Sequence, residues 1–215
     1  MAYYTIKNTV STEFEERKST FIGHAKRVYT EDEAKEFIDK IKKEHSSATH
    51  NVYAYIIGEN MGIQRYTDDG EPQGTAGVPV LDVIKKNGIT NVVIVVTRYF
   101  GGILLGKGGL VRAYSKGAAQ AIHEAEIVQR VEGFSYHIFI EYDILGKVQY
   151  ICEQNNWHIE ESIYTDKVEI IIYCTNEMKN NINKEVVQAT SGKCDFKIDN
   201  EGYYFKIENR LYKGE

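Results

Sequence analysis

The sequence predicts an α+β protein of two domains: an N-terminal α/β sandwich over residues 1–130, then a ferredoxin-like βαββαβ unit over residues 131–215. Three observations lead there. The run Val92-Val93-Ile94-Val95-Val96 is continuous, β-branched and a strand's length, which suits a strand covered on both faces of its sheet. Strand patterns and one-sided helical patterns alternate through residue 125, rather than falling into separate blocks. Beyond residue 130 the pattern restarts as strand, helix, two strands, helix and strand, the ferredoxin-like order. The charge balance shifts with it, from 17 Lys/Arg against 16 Asp/Glu up to Arg130 to 9 against 15 afterwards. No linker rich in Ser or Pro marks the boundary.

Taken in order, residues 5–28 hold two short strand candidates, of which 20–28 is the clearer. Thr30-Glu31-Asp32-Glu33 resembles a capping box with acids in the first helical turn. Ala34, Phe37, Ile38 and Ile41 then recur at helical spacing, so an amphipathic helix runs to about His45. Residues 50–57 read as a strand. The chain is organised around residues 65–120, and residues 66–77 are too polar and too rich in Gly and Pro to be anything but a structured loop. Pro79 suits the first position of a short helix with Val80, Val83 and Ile84 on one face and Gly88 as its stop. After the β-branched strand, a glycine cluster at Gly106, Gly108 and Gly109 opens a helix over about 110–125. Its stripe of Leu110, Ala113, Tyr114, Ala118, Ala121 and Ile122 suits close contact with a sheet. In the second half, 135–141 alternates like a strand, and 144–155 is helical with Ile144, Val148 and Ile151 on one face. Residues 158–164 and 167–174 are paired strands, 178–190 is a helix ended by Ser191-Gly192, and 203–207 is a last strand.

Composition narrows the function classes. The apolar and charged fractions are those of a globular protein. No charged-then-apolar leader opens the sequence and no apolar run reaches membrane-spanning length, so a cytoplasmic protein without a membrane partner is expected. Cys152, Cys174 and Cys194 are widely spaced and odd in number, which fits apolar packing in a reducing compartment better than a disulfide framework or a zinc site. The net charge of −5 argues against nonspecific nucleic-acid binding, and nothing indicates a preference for DNA. The distribution qualifies this. Between Val83 and His123 there is no acidic residue, while Lys85, Lys86, Arg98, Lys107, Arg112 and Lys116 are present.

The runs DDGEPQGTAGVPVLDVI (68–84) and VVIVVTRYFGGILLGKGGLVRAY (92–114) closely resemble those of the IMPACT/YigZ family. Ala48-Thr49-His50-Asn51-Val52-Tyr53-Ala54 belongs to the same resemblance, and Ser19-Thr20-Phe21-Ile22 does so more loosely. For the first domain the resemblance implies a fold like the second domain of a small-subunit ribosomal protein, with a left-handed βαβ crossover. The second domain resembles the last domain of elongation factor G, from which the acidity here departs. Eukaryotic members are linked to translational control through the amino-acid-starvation response and carry an additional N-terminal domain. The resemblance leads to the expectation that this chain starts at the shared one. The resemblance thus implies a noncatalytic regulator that binds RNA, the ribosome or a protein of the translation or starvation response.

The residues themselves leave two functional readings open. Gly101-x4-Gly106-Lys107 approaches a phosphate-binding loop, but Gly108 stands where a magnesium-holding hydroxyl would be needed. Backbone N–H groups around Gly106, Gly108 and Gly109, with Lys107 beside them, can still hold an anion without catalysis, or can simply permit tight packing. Arg112 and Lys116 share a helical row with Gln120, and with Arg98 and Lys107 they make a candidate basic face. Asp68, Asp69 and Glu71 could collect a hard cation through their carboxylate oxygens, but they lie too close in sequence to form a cage alone. The better reading is local: turn-capping acids in the family-motif loop that holds Pro72, where Gly70, Gly74 and Gly77 allow positive φ. Arg65 and Arg98 are candidate partners for them. His50 is a site candidate through the motif around it. No nucleophile with its base, no cofactor motif and no metal-ligand spacing is legible. The rival to the regulator is an enzyme that takes a phosphorylated small molecule between the 68–77 loop and the 106–109 anion site.

Overall fold

The β-branched run becomes the middle of a sheet because neither of its faces can be left to water. The computed structural model describes residues 2–214, which divide into two units, Tyr3–Val128 and the segment from Gln129 onward. In chain order, the first unit contains β1 (Tyr3–Ile6), β2 (Val10–Glu16), β3 (Ser19–Arg27), α1 (Glu31–Glu44), β4 (His50–Ile57) and β5 (Ile63–Thr67). It continues with α2 (Gly77–Lys86), β6 (Val92–Tyr99) and α3 (Gly106–Ala125). Five strands pair in the order β2-β3-β6-β4-β5, and every neighbouring pair is antiparallel.

Alternation along β6 sends Val92, Ile94 and Val96 into a core with α2 and α3, and Val93 and Val95 into a second core with α1. Helices therefore cover both faces, making three layers. Thr30 caps α1 as its sequence predicts, accepting from the Glu33 amide, and the predicted stripe Ala34, Phe37, Ile38 and Ile41 is buried. The small-residue stripe of α3 is buried as well. Gly117 lets the helix approach so closely that a Cβ on Gly23 of β3 would stand 2.5 Å from the Gly117 carbonyl oxygen.

Several expected boundaries move. Two short strands over residues 5–28 become three. Residues 63–67, partly assigned to the loop by composition, form the edge strand β5, whose polar side chains suit a position open to water on one side. Helix α2 starts at Gly77, so Pro79 is its third residue; no hydrogen bond is lost, since the first four amides of a helix have no partner within it. Helix α3 takes in the glycine cluster and begins at Gly106 rather than near Leu110.

The strand β7 (Ile127–Ile140) leads into the second unit. A short 3-10 turn (Tyr142–Ile144), α4 (Leu145–Gln154), β8 (Glu161–Tyr164), β9 (Val168–Cys174), α5 (Asn176–Thr190), β10 (Cys194–Ile207) and β11 (Arg210–Lys213) follow. These strands order as β11-β10-β7-β9-β8. Val168, Ile170, Ile172 and Cys174 point from β9 into one core with Val148 and Cys152 of α4 and Ile182 and Val186 of α5. The buried stripe of α4 is thus Val148 and Cys152; Ile144 and Ile151, expected beside Val148, are only half-buried. The closing hairpin strand β11 had no sequence signal of its own. Burial pushes the Cys152 and Cys174 thiols up to about 11 and about 12, so both stay protonated and pack as small apolar groups.

Candidate functional site

Register places the site at one end of the first sheet. Phe21 of β3 and His50 of β4 both lie opposite Arg98 of β6. Arg98 follows Val96 on the side facing α3, where it is only 5% exposed. Its guanidinium lies over the Phe21 and Phe100 rings, 5.5 and 5.4 Å from their centroids. A cation in that position needs a buried anion, and Glu71 supplies it, with Arg98 Nη1 2.6 Å from Glu71 Oε1. The buried Tyr114 of α3 donates to the same oxygen at 2.7 Å, and His50 Nε2 lies 3.8 Å from it. Burial, reinforced by the Glu71 carboxylate, holds the Tyr114 phenol far above its usual range, so it remains a donor. His50 Nδ1 meets the Asp69 carbonyl at 2.7 Å, which places the neutral ring's proton on Nδ1.

The polar loop is a brace built from its own acids. Asp68 accepts from the amides of Gly74 (2.8 Å), Ala76 (3.1 Å) and Gly77 (2.8 Å), which binds the loop to the start of α2, where a carboxylate is favoured. Asp69 accepts from the Asn51 amide at 2.6 Å and lies 3.5 Å from Lys42 Nζ. Thr75 closes the turn after Pro72 through a 2.6 Å bond to its carbonyl. Gly70 and Gly74 adopt φ of +88° and +74°, as predicted. Gly77 is glycine for another reason: its φ is not positive, but a Cβ there would stand 2.5 Å from the Thr67 carbonyl oxygen. Of the arginines expected to pair with these acids, Arg98 does so, whereas Arg65 lies 3.7 Å from Glu31.

The predicted site residues thus separate into two groups. His50, Asp68, Asp69, Gly70, Glu71, Pro72, Gly74 and Gly77 come together near Arg98; Glu71 and Gly77 are buried, His50, Asp68 and Asp69 half-buried, and Gly70, Pro72 and Gly74 exposed. Arg98 is thereby removed from the basic face to which its place in the sequence assigned it. Lys107, Gly108, Arg112 and Lys116 remain exposed on α3, with Gly109 half-buried beneath them. Arg112 folds back toward the start of the helix, where a Cβ on Gly108 would come within 3.6 Å of its Nη1. Lys116 lies over the Phe14 ring at 4.3 Å.

The row is not without acids, although its stretch of sequence is. Edge strand β2 runs beside α3, so that Glu13 lines one cleft with Lys116, Gln120 and His123, and Glu16 lines another with Arg112 and Lys116. The second cleft, 250 Å³ in volume, also contains Arg17. Arg17 was not among the residues that the sequence singles out. Reading 10–16 and 19–27 as a hairpin with Arg17-Lys18 at its turn was the signal that could have found it.

The family model described as Impact N-terminal domain matches residues 17–122, and a domain of unknown function, DUF1949, matches residues 138–193. The IMPACT family member YvyE of Bacillus subtilis is 42% identical over 214 residues, covering 100% of this chain and 99% of that protein. An IMPACT family member of Haemophilus influenzae is 34% identical, over 90% of this chain and 95% of its own. Protein IMPACT of the rabbit Oryctolagus cuniculus is 40% identical over 42% of this chain and 30% of its own length. A crystal structure titled as that of an hypothetical protein superposes with a TM-score of 0.59 at 28% identity, over 93% of this chain and 98% of that one. With matches of this length in both halves, the chain belongs to the IMPACT family.

Proposed function

We propose that the protein is a noncatalytic cytoplasmic regulator acting around translation, and that it binds RNA, in the ribosome or outside it, through the basic row of α3. One observation carries the reading. The acids of the first unit's loop spend their oxygens on its own backbone and on Arg98, while Lys107, Arg112 and Lys116 stand exposed along one helix. Exposed cations of this kind contribute little to folding and are suited to phosphate contacts. The rival, an enzyme for a phosphorylated small molecule, would need a carboxylate of Asp68 or Glu71 turned toward substrate, and both are engaged internally. A regulator working through a protein of the starvation response remains the outcome if RNA is not bound.

Two fold assignments belong to the same proposal. The chain from β3 through α1 to β4 joins two parallel strands with β6 between them, which supports the ribosomal-protein-like reading of domain 1–130. The order β10-β7-β9-β8 with α4 and α5 on one core supports the ferredoxin-like reading of domain 131–215.

The test is a salt titration of binding to a fluorescently labelled single-stranded RNA. Arg112→Ala with Lys116→Ala should flatten the slope of log affinity against log salt by about 1.4, two phosphate contacts' worth on a single strand. Its unfolding free energy should stay within about 0.5 kcal/mol of the parent's. Parent-like RNA binding by this double variant would overturn the proposal.

A further inference from the structure

We propose that the cleft between the β2–β3 turn and the first turns of α3 is a seat for one phosphoryl group, with Arg17 as its principal cation. The seat rests on the RNA-binding reading and adds to it a residue, a place and a ligand group. The cleft is lined by Glu16, Arg17, Leu105, Gly109, Arg112, Ala113 and Lys116, so three cations from two elements converge on 250 Å³ with one carboxylate among them. Arg112 is supplied by the helix and Arg17 by the turn. Two arginines from separate elements suit an oxyanion that presents several acceptor oxygens.

The turn gives an independent reason to single out Arg17. Glu16 pairs with Ser19, so Arg17 and Lys18 alone form the two-residue connection of a hairpin. Both have positive φ, +49° and +62°. That geometry favours Asn-Gly, and long side chains adopt it at a cost in conformational energy. Here the two positions hold two cations. Strain of this kind points to selection for something other than stability.

The turn is also held in place. A Cβ on Gly101 would stand 1.7 Å from the Lys18 carbonyl oxygen, so the loop after β6 lies directly against the turn. Ser19 Oγ accepts from the Gly101 amide at 3.3 Å, and Arg17 Nη1 donates to the Leu104 carbonyl at 3.4 Å. That one bond tethers the guanidinium beside α3, and Arg17 itself remains exposed.

The deciding variant is Arg17→Asn. It removes the charge while supplying a residue that the left-handed conformation accepts, so the fold should be kept or slightly stabilised. Binding of the labelled single-stranded RNA should weaken about fivefold at 0.1 M KCl, with the salt slope reduced by about 0.7, one contact's worth. Glu16→Gln should strengthen binding at low salt. Inorganic phosphate and pyrophosphate, titrated against the RNA complex, distinguish the source of the group. If the Arg112/Lys116 double variant binds RNA more weakly than the parent, yet Arg17→Asn binds it unchanged, the seat is overturned and the basic row stands. If RNA does not bind but pyrophosphate binds in an Arg17-dependent manner, the seat stands for a free phosphorylated ligand and the RNA reading falls. If neither binds the parent, both are overturned.

Discussion

Arg98 and Arg112 lie fourteen positions apart in the same acid-free stretch, and the fold gives them opposite roles. Arg98 lies near the end of the central strand on the face covered by α3, close to two aromatic rings, with its charge met by Glu71. Arg112 lies on the outer face of α3 and lines a cleft with Arg17 and Lys116. The first is a structural cation whose environment is protein; the second has an environment that water or a ligand can complete. A count of charges along the chain cannot tell them apart. What separates them is whether the neighbouring elements bring a counter-charge and remove the water.

The largest expected effect tests the buried side of this comparison. Glu71→Ala removes the carboxylate that Arg98 and Tyr114 share, leaving a buried cation without its partner. A loss of about 3–5 kcal/mol in urea unfolding is expected. A loss below about 1 kcal/mol would show that Arg98 reaches solvent as Arg112 does, and the distinction would collapse.

A buried titratable group that stays neutral lies on the opposite face of the same sheet. His24 is 3% exposed, its Nδ1 2.8 Å from Ser11 Oγ and its ring 5.1 Å from that of His45. Burial, then the charge of His45, lowers its pKa from 6.5 to about 4. Between these values the unfolded chain binds the proton and the folded chain does not. The stability due to this group is therefore present in full above pH 6.5 and is lost as pH falls toward 4, by up to about 1.4 kcal/mol per pH unit. The difference in unfolding free energy between parent and His24→Gln, followed from pH 7 to pH 4, should show this slope. Parallel curves for the two proteins would refute it.

The smallest effect concerns the loop that supplies Glu71. Gly74→Ala places a Cβ at φ +74° in otherwise open space, so only conformational strain is added, about 1 kcal/mol. An unchanged midpoint of urea unfolding would mean that the loop relaxes at no cost, and that Asp68 rather than Gly74 sets its shape.

Local chemistry was enough for much of this molecule. The α1 cap and stripe, strand β4, the doubly covered β6, the small-residue face of α3 and the alternation of β9 all follow from neighbours within a few positions. Hydrophobic periodicity and side-chain capping act over that range. The family was legible in the motifs of residues 68–84 and 92–114. The polar edge strand β5, the hairpin strand β11 and the start of α3 at Gly106 were not legible, because pairing partners and helix ends depend on elements distant in the chain. The same holds at the site. The sequence by itself determined that residues 66–77 would turn sharply and that α3 would carry a basic row. Only the tertiary structure decided that Glu71 would meet Arg98 across 27 positions, that Gly77 is small because Thr67 lies against it, and that Glu16 and Arg17 would arrive beside Arg112 from a turn nearly a hundred residues earlier. Electrostatic and steric interactions depend on distance in space, and sheet pairing sets that distance by register, which no local window of sequence contains.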